Sequence, residues 1–351
     1  MKGLRIGYVP LSPDLTSPGD RRRLIFWANQ RGHAITTDLN QKIDLVVASE
    51  TTDFRAKYFT KRKVPLIFDL VDGYLSPRSK SEDFARGAAK KFSGQISGTM
   101  KPFSHLVRDF CQESDGVICS SIEQKNLVDQ YNPNVHVILD SHDELPLIEP
   151  RILKVDTSNK RRILWEGQPA TLKSVGKLIE DISYVNTNKD WHFSLVTDEE
   201  YYKYLNRFLK RTSLSLLEKN YPNTVKQFSI SKWTIKNLVT LAQSSSVSII
   251  PIDLLVPIQN MKPENRLLIM WRLGLPCLTS ASPAYLRTAK QAEVKSCCET
   301  SSDWVESLDE LLNNPTLAFE HVQRGQNYLS EHHSRRILLD KWDRAVESVL
   351  D

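Results

Sequence analysis

The residues best suited to chemistry follow an apolar run in the second half of the chain. The run is Arg162–Trp165, and Gly167 and Gln168 come just after it. Lys173 follows, at the start of a helix predicted over Lys173–Ile182. A glycine lets a ligand approach the backbone closely, and a lysine beside a helix N-terminus suits a phosphate group. The spacing therefore predicts an anion site at the end of this strand.

A second candidate for an anion site is the segment Lys262–Arg266. Its proline and glutamate suit the first turn of a helix, and Gly274 suits the left-handed stop of that helix. Asn265, Arg266 and the unbonded N–H groups of the first turn would then lie together at a helix N-terminus, which favours an anion. An ordinary capped helix with a surface arginine is the competing interpretation.

The first half of the chain offers weaker candidates. The loop after the first apolar run contains Gly19, Asp20 and Arg21–Arg23. Three arginines at a helix start oppose the helix dipole, which favours an anionic ligand, while Asp20 suits a helix N-cap. Asp69 and Asp72 end another apolar run, where they would bind substrate hydroxyls or a cation, or where Asp72 would only begin a turn.

Several signature motifs are missing from the sequence. No glycine-rich dinucleotide fingerprint follows the first strand, and no P-loop, nucleophile-elbow serine or zinc-protease motif occurs. The five cysteines are scattered, with no spacing typical of a zinc site. We expect no bound metal, and we expect reduced thiols in a cytoplasmic protein.

The composition excludes whole classes of protein. With 351 residues, 40% of them hydrophobic and 25% charged, the chain is too apolar for disorder and long enough for about two domains. Its longest apolar stretches, Val64–Val71 and Val247–Ile258, are short or interrupted, which excludes a membrane span of about 20 residues. The N-terminal run is too short for a secretory signal. The net charge of +5 suits an anionic ligand or a membrane surface and does not indicate nucleic acid.

The elements that must position these residues form a repeating pattern. Short runs rich in Val, Ile and Leu alternate with amphipathic stretches, which is typical of parallel strands covered by helices on both faces. The predicted strands are Leu4–Val9, Ile43–Ala48, Val64–Leu70, Gly116–Ser120, Val135–Leu139, Arg162–Trp165, Trp191–Val196, Thr224–Ile230, Val247–Ile252 and Pro276–Thr279. The predicted helices are Asp20–Arg31, Lys173–Ile182, Thr234–Ala242, Glu264–Leu273, Trp304–Leu312 and Thr316–Leu350. The alternation pauses at Asp140–Asn159, so we predict two successive α/β units.

Basic residues are concentrated in the first unit. Arg55–Lys63 contains five of them and no acidic residue, and Ser76–Arg108 contains seven against Glu82 and Asp83. Aromatic and aliphatic residues are interleaved with the second set. Two interpretations stay open, namely an amphipathic surface for anionic lipid and an ordinary solvated helix face.

The whole chain resembles the GT-B glycosyltransferases, most closely the family-4-like enzymes that use nucleotide sugars. The strongest match is Lys262–Pro276, with Lys-x-x-Asn-Arg, an apolar helix and Gly-Leu-Pro, a segment that in the family cups the donor's pyrophosphate and ribose. Gly167 and Lys173 match a pattern whose lysine stabilises the leaving diphosphate. Ser231–Trp233 falls where the family contacts the nucleobase, and the loop with Gly19 resembles one that faces donor phosphate and acceptor.

The resemblance implies two Rossmann-like parallel-sheet domains that face each other across a cleft. The acceptor-side domain would comprise residues 1–150 and the nucleotide-sugar domain residues 151–334. The run Tyr328–Leu350, with Trp342, resembles the family's final helix, so residues 335–351 would pack back on the first domain.

Two positions depart from the family pattern. Gln168 stands at the family arginine, and Ile269 stands at a glutamate that bonds the ribose hydroxyls. An aliphatic side chain cannot accept those hydrogen bonds, and Glu264 is the nearest substitute. The site is therefore either built from a divergent set of residues or degenerate.

The resemblance also implies the activity, which is sugar transfer from a nucleotide diphosphate to an acceptor hydroxyl with retention of configuration. The acceptor would be a saccharide or lipid-linked saccharide of surface polysaccharide or glycolipid synthesis, met at the inner face of the membrane through residues 76–108. Lys173 and Arg266 would stabilise the leaving diphosphate, and Asp72 and His105 are candidates for a general base. The implied donor-binding residues are Gly19, Gly167, Gln168, Trp233, Lys262, Glu264 and Asn265. A non-catalytic binding subunit and a sugar-nucleotide epimerase of the same fold are the alternatives.

Overall fold

The structure, a computed structural model, describes residues 3–50, 54, 64–76, 79–96, 98–152, 161–185, 191–202 and 210–350. The chain divides into two compact units. Unit 1 comprises Met1–His142, Val256–Pro263 and His333–Asp351. Unit 2 comprises Asp143–Leu255 and Glu264–His332. The basic run Arg55–Lys63 lies outside the described residues.

Unit 1 is built on a parallel sheet of six described strands in the order β2-β1-β3-β4-β5-β6. The strands are β1 Arg5–Val9, β2 Ala34–Thr36, β3 Leu45–Ser49, β4 Leu66–Leu70, β5 Gly116–Cys119 and β6 Val135–Val137. In β3 and β4 every residue is buried, and alternate residues belong to two separate apolar clusters. The sheet is therefore covered on both faces, as the apolar runs predict. Sequence reasoning missed β2, a three-residue edge strand without an apolar run.

The helices of unit 1 are more numerous than the sequence predicted. They are α1 Pro18–Arg21, α2 Leu24–Arg31, α3 Lys80–Phe92, α4 Phe103–Glu113, α5 Ile122–Val128, α9 Pro257–Asn260 and α14 Arg335–Leu350. The helix predicted over Asp20–Arg31 is wrong as a single element, since Arg23 has φ −116° and ψ −107° and separates α1 from α2. The final helix, α14, lies on this unit, where Trp342 stacks on Trp27 with ring centroids 5.7 Å apart.

Unit 2 repeats the architecture with a parallel sheet in the order β11-β8-β7-β12-β13-β14. These strands are β7 Arg161–Glu166, β8 Trp191–Thr197, β11 Phe228–Lys232, β12 Val247–Ile250, β13 Cys277–Ser280 and β14 Cys297–Cys298. The short strands β9 Glu200–Tyr202 and β10 Lys210–Thr212 form an antiparallel pair outside the sheet. The second parallel sheet confirms the prediction of two α/β units.

The helices of unit 2 surround this sheet. They are α6 Leu172–Val185, α7 Ser213–Asn220, α8 Ile235–Ser244, α10 Asn265–Arg272, α11 Pro283–Gln291, α12 Ser301–Asn313 and α13 Pro315–His332. A single 3₁₀ turn lies at Pro169–Thr171, and a longer 3₁₀ segment lies at Pro222–Gln227. The strand predicted over Thr224–Ile230 is therefore wrong in its first half and runs over Phe228–Lys232 instead. The helix predicted over Thr316–Leu350 is two helices, because α13 ends at His332 in unit 2 and α14 begins at Arg335 in unit 1. Among the described residues, no helix is long and apolar enough to cross a membrane.

Candidate functional site

The carboxyl-end edge of the sheet in unit 2 brings together three polar side chains from distant parts of the sequence. Glu166 is the last residue of β7, Trp233 follows β11, and Arg266 lies in the first turn of α10. The indole Nε1 of Trp233 donates to Glu166 Oε1 at 2.8 Å. Arg266 Nη2 donates to the main-chain oxygen of Glu166, and its Nε lies 3.7 Å from Glu166 Oε2. We call Glu166, Trp233 and Arg266 the Glu166 cluster.

Gly167 provides the room in which Arg266 lies. A Cβ atom at Gly167 would lie 3.1 Å from Arg266 Nη2 and 2.7 Å from the ring of Trp165. The guanidinium carbon of Arg266 is 5.5 Å from the centroid of that ring, a cation–π distance. Glycine at 167 therefore allows a charged group to pack against the end of β7, on a buried aromatic wall.

The N-terminus of α10 adds backbone donors beside Arg266. The helix begins at Asn265 with Glu264 as its N-cap residue, so its predicted start at Glu264 is one residue early. Glu264 is buried, and its Oε2 lies 3.6 Å from an Nη2 of Arg287. A carboxylate and the positive end of a helix dipole stabilise each other. Gly274, at φ +71°, ends the helix in the left-handed conformation, as predicted.

The remaining candidates in unit 2, Gln168, Lys173 and Ile269, are close in sequence to Glu166 or Arg266. Gln168 is exposed and precedes the 3₁₀ turn, and its main-chain oxygen accepts from the Thr171 amide at 2.9 Å. Lys173 is exposed in the first turn of α6, and its carbonyl accepts from the hydroxyl of Tyr221 at 2.9 Å. Ile269 is buried in the core, so this position contributes no polar atom to a ligand site.

Lys262 and Asp72 form an ion pair in unit 1. Lys262 Nζ lies 2.7 Å from Asp72 Oδ1, and both side chains are partly exposed. The segment Val256–Pro263 therefore belongs to unit 1, whereas Asn265 and Arg266 belong to unit 2. The five-residue motif that the sequence presents as one anion site is divided between two units.

Glu50 is a functional candidate that sequence reasoning missed. It follows β3, is 8% exposed, and accepts from the Asp72 amide at 2.6 Å and from the Tyr74 hydroxyl at 3.4 Å. Burial, together with the Asp72 carboxylate, raises the pKa of Glu50 to about 8. The signal in the sequence was a glutamate directly after the buried strand β3, much as Asp72 follows β4 by two residues.

The loop that carries Gly19 is held by its own residues. Asp20 is not the N-cap, which is Ser17; the Asp20 carboxylate accepts from the Tyr8 hydroxyl at 2.6 Å and from the amides of Leu11 and Ser12 at 2.7 and 2.9 Å. A Cβ at Gly19 would lie 2.2 Å from a methyl carbon of Leu11. The group that approaches Gly19 closely is therefore Leu11 of the same loop.

One arginine of the run Arg21–Arg23 is neutralised by carboxylates of the protein itself. Arg23 is fully buried and donates twice to Asp69, with Nη2–Oδ1 at 2.6 Å and Nε–Oδ2 at 2.9 Å. Its Nη1 donates to the Ile138 carbonyl at 2.8 Å and lies 3.2 Å from Asp140. Burial alone would lower the pKa of Arg23, but the two carboxylates more than offset it and raise the pKa. Asp69 is thus a structural partner of Arg23.

The other catalytic candidate, His105, lies exposed on α4. Within the ranges that the structure describes, no group of three His, Cys, Asp or Glu side chains is arranged to hold a metal ion.

The sequence matches no protein-family model and no curated protein sequence. Solved structures resemble the chain instead. HepE from Anabaena, solved in complex with UDP and glucose, aligns with a TM-score of 0.62 and 11% identity. The alignment covers 98% of this chain and 100% of HepE. WaaG, a glycosyltransferase involved in lipopolysaccharide biosynthesis, aligns with a TM-score of 0.55 and 11% identity over 98% of this chain and 99% of its own.

TarM from S. aureus aligns with a TM-score of 0.57 and 10% identity over 86% of this chain. The alignment covers 54% of TarM, so the chain spans about half the length of that protein. These likenesses show the fold, which is GT-B, and they agree with the two parallel sheets.

Proposed function

We propose that the protein is a glycosyltransferase that moves a sugar from a nucleotide-diphosphate donor to an acceptor hydroxyl, without a bound metal and with retention of configuration. The observation that carries the proposal is the Glu166 cluster. It sets an aromatic ring, a guanidinium and a helix N-terminus at the carboxyl-end edge of a parallel sheet, where ligands bind in open α/β folds. HepE, which has the same fold, was solved with UDP and glucose.

Two features of this edge match two parts of a donor, the nucleobase and the diphosphate. The indole of Trp233 offers a flat face for a nucleobase. Arg266 and the first N–H groups of α10 carry the positive charge that a diphosphate needs. Lys173, in the first turn of α6, is proposed as a further positive group for the diphosphate. Chemistry of this kind needs little covalent help, because stabilising the departing diphosphate lowers the barrier electrostatically.

The acceptor side is proposed for unit 1. Burial raises the pKa of Glu50 to about 8, and its carboxyl group accepts from the Asp72 amide, so Glu50 is able to take up or release a proton near neutral pH. Glu50 is a better candidate for handling the proton of an acceptor hydroxyl than the exposed His105. A saccharide or lipid-linked saccharide is the proposed acceptor, as in surface polysaccharide or glycolipid synthesis. The mutant TarM structure contains UDP, fondaparinux and α-GlcNAc-glycerol.

Binding of a nucleotide diphosphate tests the proposal first. We expect UDP, GDP or ADP at millimolar concentration to raise the melting temperature, since a ligand that binds only the folded state stabilises it by mass action. Failure of all three nucleotides would favour the non-catalytic alternative. For a donor that binds, NMR of donor and protein without acceptor separates transfer from epimerisation, because only an epimerase releases a modified sugar under those conditions.

We further propose that the region 76–108 meets an anionic membrane surface. On α3 the rings of Phe92 and Phe84 are 88% and 46% exposed, and the same helix carries Lys80, Arg86, Lys90 and Lys91. Exposed aromatic rings among basic side chains are typical of interfacial binding.

Phe92→Ser is therefore expected to reduce co-sedimentation with anionic vesicles several-fold, because it removes the most exposed ring of α3. Tyr184→Ser removes a ring that is 73% exposed on α6 of unit 2 and is expected to change nothing. Equal co-sedimentation of Phe92→Ser and wild type would contradict membrane contact at this helix.

A further inference from the structure

Glu166 is the one residue of the Glu166 cluster that both of its other members contact. Its carboxylate lies at the end of β7, with its side chain 11% exposed. We infer that Glu166 is the positioning residue of the nucleotide site, holding Trp233 with one carboxylate oxygen and Arg266 with the other. This inference rests on the proposed function, since it concerns how the same site is shaped.

Trp233 is fixed through its main chain and its side chain. The main-chain amide donates to the Thr197 carbonyl at the end of β8, at 2.9 Å, and the indole Nε1 donates to Glu166 Oε1 at 2.8 Å. The first bond places the loop after β11, and the second selects one orientation of the ring. An amphipathic ring whose N–H is bound keeps its face in a defined place for stacking.

The guanidinium of Arg266 is held by the same residue through different atoms. Nη2 donates to the Glu166 carbonyl and Nε faces Oε2 at 3.7 Å, while the plane packs near Trp165. A guanidinium has five N–H donors, so these contacts leave it able to bind diphosphate oxygens. Both side chains are mostly buried, so water screens their attraction less than that of a surface pair.

A carboxylate in a site for an anion has an electrostatic cost, which argues that its role is geometric. Its negative charge opposes the diphosphate that Arg266 attracts. A residue whose only task were to raise affinity for phosphate would not be acidic. The hydrogen bond to Trp233 and the ion pair with Arg266 explain the carboxylate. Side chains that are already held in place lose less conformational freedom when a ligand binds.

Two substitutions separate geometry from charge. Glu166→Ala removes the acceptor of the Trp233 indole and the carboxylate that faces Arg266, but it keeps the main-chain carbonyl that accepts from Arg266 Nη2. Glu166→Gln removes the charge and keeps an amide oxygen that can accept from Trp233. We expect Glu166→Ala to weaken UDP binding by about tenfold or more, as measured by titration calorimetry. Glu166→Gln should restore binding to within about threefold of wild type. Glu310→Ala, on an exposed ion pair of α12 with Lys295, is the matched control and should bind as wild type does.

A second measurement needs no nucleotide. The indole N–H resonance of Trp233, assigned with Trp233→Phe in a ¹H–¹⁵N spectrum, should shift in Glu166→Ala and return towards its wild-type position in Glu166→Gln. A merely structural role would lower the melting temperature of Glu166→Ala without this recovery. An unmoved indole resonance, or unchanged UDP affinity in Glu166→Ala, overturns the inference.

The two proposals fail in different ways. If wild-type protein and Glu166→Ala bind UDP equally well, the proposed function stands and only the role of Glu166 is refuted. Wild-type protein that binds no nucleotide removes the proposed function and, with it, the assignment of Glu166 to a nucleotide site.

Discussion

Arg266→Ala is expected to lower the turnover of a nucleotide-sugar donor by about 100- to 1,000-fold, the usual effect of removing one group that stabilises transition-state charge. The guanidinium lies at the N-terminus of α10 and at the end of β7. There the guanidinium and the positive end of the helix dipole can both face a departing diphosphate. Arg266→Lys keeps the charge but loses the planar fork, so we expect an intermediate rate. The measurement is steady-state transfer with a saturating acceptor.

The matched control is Arg324→Ala, which removes an exposed guanidinium from α13 of the same unit and should leave turnover unchanged. Lys173→Ala is expected to cost less than Arg266→Ala, because Lys173 is exposed and its attraction to phosphate is screened by water. Lys177→Ala, one turn later on α6, controls for the loss of charge on that helix. Wild-type turnover in Arg266→Ala would refute the assigned diphosphate site.

The second large effect is expected on folding, from Asp69→Asn. Arg23 and Asp69 are both buried, and the substitution leaves the guanidinium with Asp140 as its remaining charged partner. Removing one partner of a buried ion pair costs about 3–5 kcal/mol, because the other charge stays desolvated. We therefore expect the free energy of unfolding of unit 1, measured in urea, to fall by that amount.

Asp340→Asn is the control for this prediction, since it breaks a partly exposed pair with Arg31, at 3.3 Å, and should cost less than about 1 kcal/mol. The double variant Arg23→Met with Asp69→Leu removes both charges and should be more stable than Asp69→Asn alone. A single Asp69→Asn variant with wild-type stability would show that the pair adds nothing to the fold.

Much of the fold could be predicted because each strand and helix has a local cause. The apolar runs at Leu66–Leu70 and Val247–Ile250 are buried strands, since continuous apolar residues need cover on both faces. Several strands escaped prediction for lack of such a run, among them the edge strand β2, the pair β9 and β10, and the two-residue strand β14. The helices α5, α7, α9 and α11 were not predicted either. The break between α1 and α2 also escaped; it lies at Arg23, whose side chain pairs with Asp69 far along the chain.

The candidate site was predictable in part. Position after a strand and at a helix N-terminus was enough to select Gly167, Asn265 and Arg266, all of which lie at such places in unit 2. Residue type misled elsewhere, since Asp69 and the arginine before α2 bind each other. Glu50 and Glu166 were missed because a single glutamate at a strand end carries no pattern, and its partners are not its neighbours in sequence.

The alternation of strands and helices, the two α/β units and the helix stop at Gly274 follow from local sequence, because each depends on side chains that are close along the chain. Which charged and aromatic groups meet depends instead on the three-dimensional fold. Glu166 lies 67 residues from Trp233 and 100 from Arg266, and Asp72 lies 190 residues from Lys262. Strand order sets the meeting of Glu166 and Trp233, since parallel strands from distant segments place their carboxyl ends at one edge of a sheet.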